Sequence, residues 1–320
     1  MSKFLSTVFC AFFAVSLVAG GAQAATIYKK DGFTYKLSGD LQIQLRQKNG
    51  TDKDEEGNDI DYDLDVEYDD LEIKNAVSYE LNNNMKAFGN LDFGFGGKDG
   101  DEAELEEAYV GLQFYTVKVL MGNTGTAADD FGIYDGLESY GADDAFDAEG
   151  NTSSDDLIMV KGSLDNFNVV ISTDLEVQDD RSSYEVYADY NVSGFTIGAG
   201  YQVFDTGVVG ADDIDIMGVS AAYSMDMFTV AADYSIADDG SNDYSVINIG
   251  ASAKVDAFTV GVGYKIEDDD AAADEIAGYY ANLQYKFPAA KNVKLFTEIG
   301  GTDEEDNDDL GYLAGLQVKF

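Results

Sequence analysis

The sequence predicts an all-β protein, a 16-stranded antiparallel transmembrane barrel with short turns at one end and long loops at the other. Three observations predict it. Segments of about ten residues alternate apolar and polar side chains, which is the period of a strand. Short turns and long acidic loops follow one another in strict alternation, the asymmetry of a membrane barrel. Beyond residue 24, no stretch approaches the ~18 uncharged apolar residues of a spanning helix.

The first 24 residues stand apart. Lys3, an uncharged run from Phe4 to Val18 and Ala22-Gln23-Ala24 have the order of a cleaved secretory signal peptide. Cys10, the only cysteine, lies within it. The expected mature chain, 25–320, therefore has no disulfide and no thiol chemistry. It is one domain, a barrel in the outer membrane reached by export.

The strand segments read as 33–48, 68–82, 85–97, 104–115, 117–123, 155–163, 166–177, 183–193, 194–206, 212–224, 226–237, 243–254, 256–267, 274–287, 291–302 and 308–320. Near-copies begin at Phe167, Phe195, Phe228 and Phe258. In the last, Phe258, Val260, Val262, Tyr264 and Ile266 share one face, while Thr259, Gly261, Gly263, Lys265 and Glu267 share the other. An even count suits a sheet closed on itself, because hydrocarbon offers no partner to an unpaired edge. A soluble sandwich fits less well: these strands exceed the usual five or six residues, and their apolar faces are bounded by Phe or Tyr, as an interfacial girdle requires.

Composition narrows the function. There are 62 acids, 19 bases and no histidine, for a formal charge of −43. A nucleic-acid partner needs a basic face, so that class is excluded. Histidine-dependent catalysis and His-ligated metals are excluded outright. No enzyme and no cofactor is expected. Asp52-Lys53-Asp54-Glu55-Glu56-Gly57, with Asp63 at the twelfth place, approaches a calcium-loop pattern. It ends in Asp, has Asp59 where an apolar residue is usual and lacks flanking helices, so it reads as a chance match.

With those residues in view, the chain resembles the general diffusion porins of the Gram-negative outer membrane. The resemblance is carried by Ile27-Tyr28-Lys29-Lys30-Asp31-Gly32, Leu37-Ser38-Gly39, the run from Asn82 to Gly89, Ala108-Tyr109-Val110-Gly111-Leu112 and terminal Phe320. It implies a water-filled channel for small ions and polar solutes, a homotrimer in outer-membrane lipid, and a C-terminal signal for the barrel-assembly machinery. That signal is Tyr312, Leu316, Val318 and Phe320, on alternate positions up to the end.

The resemblance also implies a constriction loop folded into the lumen. The long gap at 124–154 fits, with eight acids and no base between 124 and 150. It holds Asp129, Asp130, Asp135, Glu138 and Asp143, of which Asp135 and Glu138 match the family's loop carboxylates. Family members set Lys and Arg on the wall facing this loop. Here three such positions are Asp40, Glu72 and Glu106, and parity near Glu106 is blurred by the run Glu104 to Glu107. Arg46, Lys36, Lys74 and Lys86 remain as a weaker basic wall. Carboxylates lining a narrow passage attract cations and repel anions, so a cation-selective channel is the expectation. The alternatives are a non-conducting adhesion barrel and a solute-specific porin. The latter needs lumen-facing aromatics, for which Phe88 and Tyr187 are the exceptions to the outward pattern.

Overall fold

The computed structural model describes residues 24–49, 51–53, 59–61, 64–95, 103–133, 144–175, 182–272, 275–304 and 310–320. Among these, nineteen strands form. They are β1 (Ala25–Lys30), β2 (Phe33–Gln47), β3 (Thr51–Lys53), β4 (Asp59–Asp61), β5 (Asp65–Asn82), β6 (Met85–Gly94), β7 (Glu104–Phe114), β8 (Val117–Gly125), β9 (Ser153–Leu164) and β10 (Phe167–Asp174). The series continues with β11 (Ser182–Val192), β12 (Phe195–Asp205), β13 (Ile214–Met225), β14 (Phe228–Asp238), β15 (Asp243–Val255), β16 (Phe258–Asp269), β17 (Ile276–Lys286), β18 (Val293–Thr302) and β19 (Gly311–Lys319). A 3-10 turn at Ala128–Asp130 and the helix α1 (Ala145–Glu149) are the helical pieces.

Every neighbouring pair is antiparallel, from β2–β5 through β9–β10 to β18–β19, and β19 returns to β2. The ring β2, β5 to β19 therefore has sixteen members and no free edge. Closure is what allows the outer face to meet hydrocarbon. Each of the sixteen segments read from the alternation matches one member of the ring.

The alternation itself decides which way each side chain points. In β12, Thr196, Gly198, Gly200 and Gln202 are buried while Phe195, Ile197, Ala199 and Tyr201 are exposed. Gln44, Gln202 and Ser235 are at most 2 % exposed, whereas Ile197 and Val219 are 57 % and 58 % exposed. The polar face is enclosed and the apolar face is outside, the reverse of a soluble core.

The tight turns show why short connections gather at one end. Asp165, Ser193, Asp226 and Asp256 all have φ between 50° and 54°. Left-handed residues in two-residue loops give the primed turns whose twist matches paired strands. Gly194, at φ 86°, completes one such turn, and a Cβ there would come within 2.6 Å of the Ser224 carbonyl.

Two elements were not visible in the alternation. β1 pairs with Phe33–Leu37 of β2, and β19 pairs with the same edge of β2 from Asp40 to Gln47. The two ends of the chain thus share one edge. The stretch 51–61, which overlaps the calcium-like pattern, carries the two short paired strands β3 and β4. The remainder of the calcium-like pattern, including Asp54, Glu55, Glu56, Gly57 and Asp63, lies outside the described residues.

Candidate functional site

The site is the enclosed polar face. On one side, segment 126–133 and 144–152 lies against it. Ala127 N donates to Ser172 Oγ of β10 (2.7 Å), Ile133 N to Asp233 Oδ2 of β14 (3.0 Å) and Ala145 N to Ser235 Oγ of β14 (2.9 Å). Gln202 of β12 both accepts from Asn151 N (3.0 Å) and donates to Asn151 O (2.8 Å). Apolar contacts seat the same segment. Phe131 and Phe146 meet at 4.9 Å between ring centroids, tilted by 52°, over Gly200 and Gly218. A Cβ at Gly218 would overlap the Phe131 ring, so the missing side chain is what admits it.

α1 begins with Asp144 as its cap: Asp144 Oδ1 accepts from Phe146 N (2.8 Å) and Asp147 N (3.4 Å). Burial, and then the neighbouring Asp147, push the Asp144 carboxyl up to about 8. Asp129 is pushed up to about 6 by enclosure and by Asp130 and Asp147. Asp130 is held by Lys161 Nζ of β9 at 3.1 Å. Asp135, Glu138 and Asp143 lie outside the described residues.

The opposite side carries an acidic arc across consecutive strands. Asp40 of β2 pairs in register with Glu72 of β5, and Lys74 of β5 with Asp92 of β6. Lys74 Nζ lies 2.6 Å from Glu72 Oε2 and 2.8 Å from Asp92 Oδ2. Carboxylate oxygens of Glu72, Asp92 and Glu106 are all within 4.8 Å of one another. The Lys74 ammonium already sits between two of these three, so the group carries its own cation.

A β-bulge settles the blurred parity at Glu106. Asp92 pairs with Glu107, but the next residue, Phe93, pairs with Leu105, which leaves Glu106 as an extra residue. Glu106 therefore joins the Glu72 group while Glu107 accepts from Asn90 Nδ2 (2.7 Å) and Thr124 Oγ1 (2.9 Å). Both glutamates face inward.

Bases near the arc are paired. Arg46 Nη1 is 3.6 Å from Glu67 Oε2, and Lys319 Nζ is 2.8 Å from Asp40 Oδ2. Lys36 and Lys86 do not join it; both lie toward the short-turn end, Lys86 six residues from Asp92, or roughly 20 Å along β6. The sequence reading missed Asp92, Glu67, Glu107 and Lys319. Parity from Lys86, Phe88 and Asn90 already put Asp92 on the polar face, but the residues that surround it come from other strands.

Several enclosed aromatics cover glycines. Phe88 covers Gly111, Tyr280 covers Gly263 and Phe296 covers Gly315, each where a Cβ would collide with the ring. Tyr187 is 2 % exposed against Gly198. At the chain terminus, Tyr312, Leu316 and Phe320 are exposed on the outer face.

A closed sixteen-member ring with this enclosed polar face agrees with the sequence profile of a family described as Gram-negative porin, which matches residues 11–307. The chain belongs to the Gram-negative porin family. Its place is the outer membrane. Relatives from Halomonas include a monosaccharide porin and, from Halomonas elongata, a major outer membrane protein. Each is 25 % identical over 235 residues, covering 65 % of this chain, and the chain spans 62 % of the length of each. Among solved structures, OmpT of Vibrio cholerae in a loop L8 deletion form superposes with a TM-score of 0.77 at 17 % identity, over 91 % of this chain and 100 % of that one. A trimer form of OmpT gives 0.72 at 16 % over 91 % and 100 %. An anion-selective porin from Comamonas acidovorans gives 0.73 at 14 %, over 90 % and 100 %. These likenesses concern the fold.

Proposed function

We propose that this porin is a passive channel for ions and small hydrophilic solutes that prefers cations, and that 124–154 is its constriction loop. One observation carries the reading. The acidic arc is centred on β5, and the loop segment is anchored around β13, eight strands away in a ring of sixteen. A solute crossing between them passes Asp40, Glu67, Glu72, Asp92, Glu106 and Glu107 on one wall, offset by Arg46, Lys74 and Lys319. Two unit charges ~4 Å apart interact by roughly 4 kcal/mol at an effective dielectric of 20, enough for such an imbalance to set selectivity. Asp135 and Glu138 belong to this passage by family resemblance.

The anion-selective and monosaccharide relatives frame the alternatives. A sugar-specific channel needs free aromatic faces, and the enclosed Tyr187 and Phe296 are spent on covering glycines. A homotrimer is the assembly we infer, supported by the trimeric neighbour. An apolar groove of about 440 Å³ on the outer wall, lined by Phe33, Val77, Tyr79, Val110, Leu112 and Met121, suits a second barrel. Tyr312, Leu316, Val318 and Phe320 are the surface offered to the assembly machinery.

The test is the zero-current potential of the purified mature protein in a planar bilayer under a tenfold KCl gradient. Perfect selectivity approaches ~60 mV. A large cation-directed potential that shrinks in Glu72→Gln/Glu106→Gln supports the reading. A conducting channel with a near-zero or anion-directed potential overturns it, and absence of conductance moves the choice to an adhesion barrel.

A further inference from the structure

The acidic arc leaves several lysines of the lumen unaccounted for. Two groups of them stand at the short-turn ends of their strands. In the first, Lys86 of β6 pairs in register with Gln113, Gln113 with Lys118 of β8, and Lys118 with Lys161 of β9. Residues paired across antiparallel strands share a face, so the three ammonium groups line one level of the enclosed wall. Lys118 is repelled by both Lys86 and Lys161, and its Nζ rests 5.8 Å from the centroid of the inward Phe88 ring. In the second, Lys254 of β15 pairs in register with Thr259 of β16 and Thr259 with Gln284 of β17, two residues along the same face from Lys286, which is repelled by Lys254 and by Lys319 of β19. The two groups sit on nearly opposite walls.

Their pairing is unlike that of the arc. There, Lys74 touches two carboxylates, and Arg46 and Lys319 each touch one. Here, Lys161 has Asp130, but Lys86, Lys118, Lys254 and Lys286 have no carboxylate within ion-pairing distance among the described residues. In a chain with 62 acids, these four inward lysines near the short-turn ends make no ion pair among the described residues, although Glu80 of β5 stands opposite Lys86 in register. Like charges gathered on an enclosed wall raise one another's energy, and an anion of several charges relieves both groups at once. Compact ammonium groups suit phosphate as point charges. Because these side chains face the lumen, the anion is a dissolved solute rather than a lipid headgroup.

We propose that the short-turn mouth of the lumen is an anion-binding collar for multivalent phosphorylated solutes, placed in series with the acidic passage. The collar rests on the barrel and its register, not on the selectivity reading.

The experiment titrates tripolyphosphate into detergent-solubilised full-length barrel by calorimetry at low salt. The parallel variants are Lys86→Gln/Lys118→Gln, Lys254→Gln/Lys286→Gln and the corresponding Arg pairs. We expect binding that weakens on the order of tenfold in each Gln pair, survives in the Arg pairs and fades with added salt. No binding, or binding equal in the Gln pairs and the wild type, overturns the collar. If a Gln pair fails to fold, the other Gln pair and the Arg pairs decide: binding that the other Gln pair leaves intact, or that both Arg pairs abolish, overturns it too. The KCl potential of the same preparations separates the two readings, since it stays cation-directed whenever the acidic passage is right, whatever the collar does.

Discussion

Phe320 and Gly39 close the barrel by exchanging main-chain hydrogen bonds: Gly39 N donates to Phe320 O at 3.0 Å, and Phe320 N donates to Gly39 O at 2.9 Å. The Phe320 ring lies over Gly39, where a Cβ would also come within 2.5 Å of the Glu72 carbonyl. The last residue of the chain thereby completes the edge that β1 and β19 share on β2.

Gly39→Ala is expected to strain this seam without opening the rest of the ring. Overpacking of this kind costs about 1–3 kcal/mol. The check is heat-modified electrophoretic mobility, in which the variant unfolds at a lower temperature than the wild type. Phe320→Ala in the same background recovers only part of the loss, because the Glu72 carbonyl clash is backbone and stays.

Gly218→Val should unseat the loop segment. The added side chain takes the space of the Phe131 ring, and Phe131 cannot keep its place over Gly200 and Gly218. Single-channel conductance is expected to rise and become noisier while the barrel stays folded. Unchanged conductance would mean that this segment does not narrow the passage.

Asp144 gives a pH dependence of known sign. Its carboxyl holds a proton up to about 8, against an ordinary 3.8. Between those values the folded loop binds a proton that the unfolded chain has lost, so its contribution is full below the lower value and is lost as pH rises through the upper. Thermal stability of the loop, followed by limited proteolysis, should fall from about pH 4 to about pH 8. Asp144→Asn keeps a cap oxygen for Phe146 N and Asp147 N and should flatten the profile.

Cation preference is expected to weaken on acidification for a separate reason. Asp129 titrates near about 6, so its negative charge is present above that value and lost below it. The zero-current potential should decline as pH falls through that range, and Asp129→Asn should remove part of the decline.

Removing Lys74 should act twice. Lys74→Gln leaves Asp92, which is 1 % exposed, without its ion-pair partner, and breaking a buried pair costs about 3–5 kcal/mol at most. It also deletes one positive charge from the arc. Folding yield is expected to fall while the potential of the channels that do form moves further in the cation direction.

The strands were legible because their signal is local. A period of two puts Phe258, Val260, Val262 and Tyr264 on one face whatever their neighbours do, and the structure leaves all four exposed on the outside. Parity failed only where the backbone did not keep its period. At Glu106 the bulge inserts a residue, and no spacing within β7 announces it.

What the sequence determined by itself is the number of strands in the ring and, wherever the period of two is kept, the face each residue takes, since each follows from residues adjacent in the chain. What only the tertiary structure decided is which charges meet. Ile133 finds Asp233 one hundred residues away, Lys319 finds Asp40 across the seam, and Lys118 comes level with Lys86 and Lys161. Those meetings depend on register, strand tilt and closure, which are properties of the whole ring and are carried by no single strand.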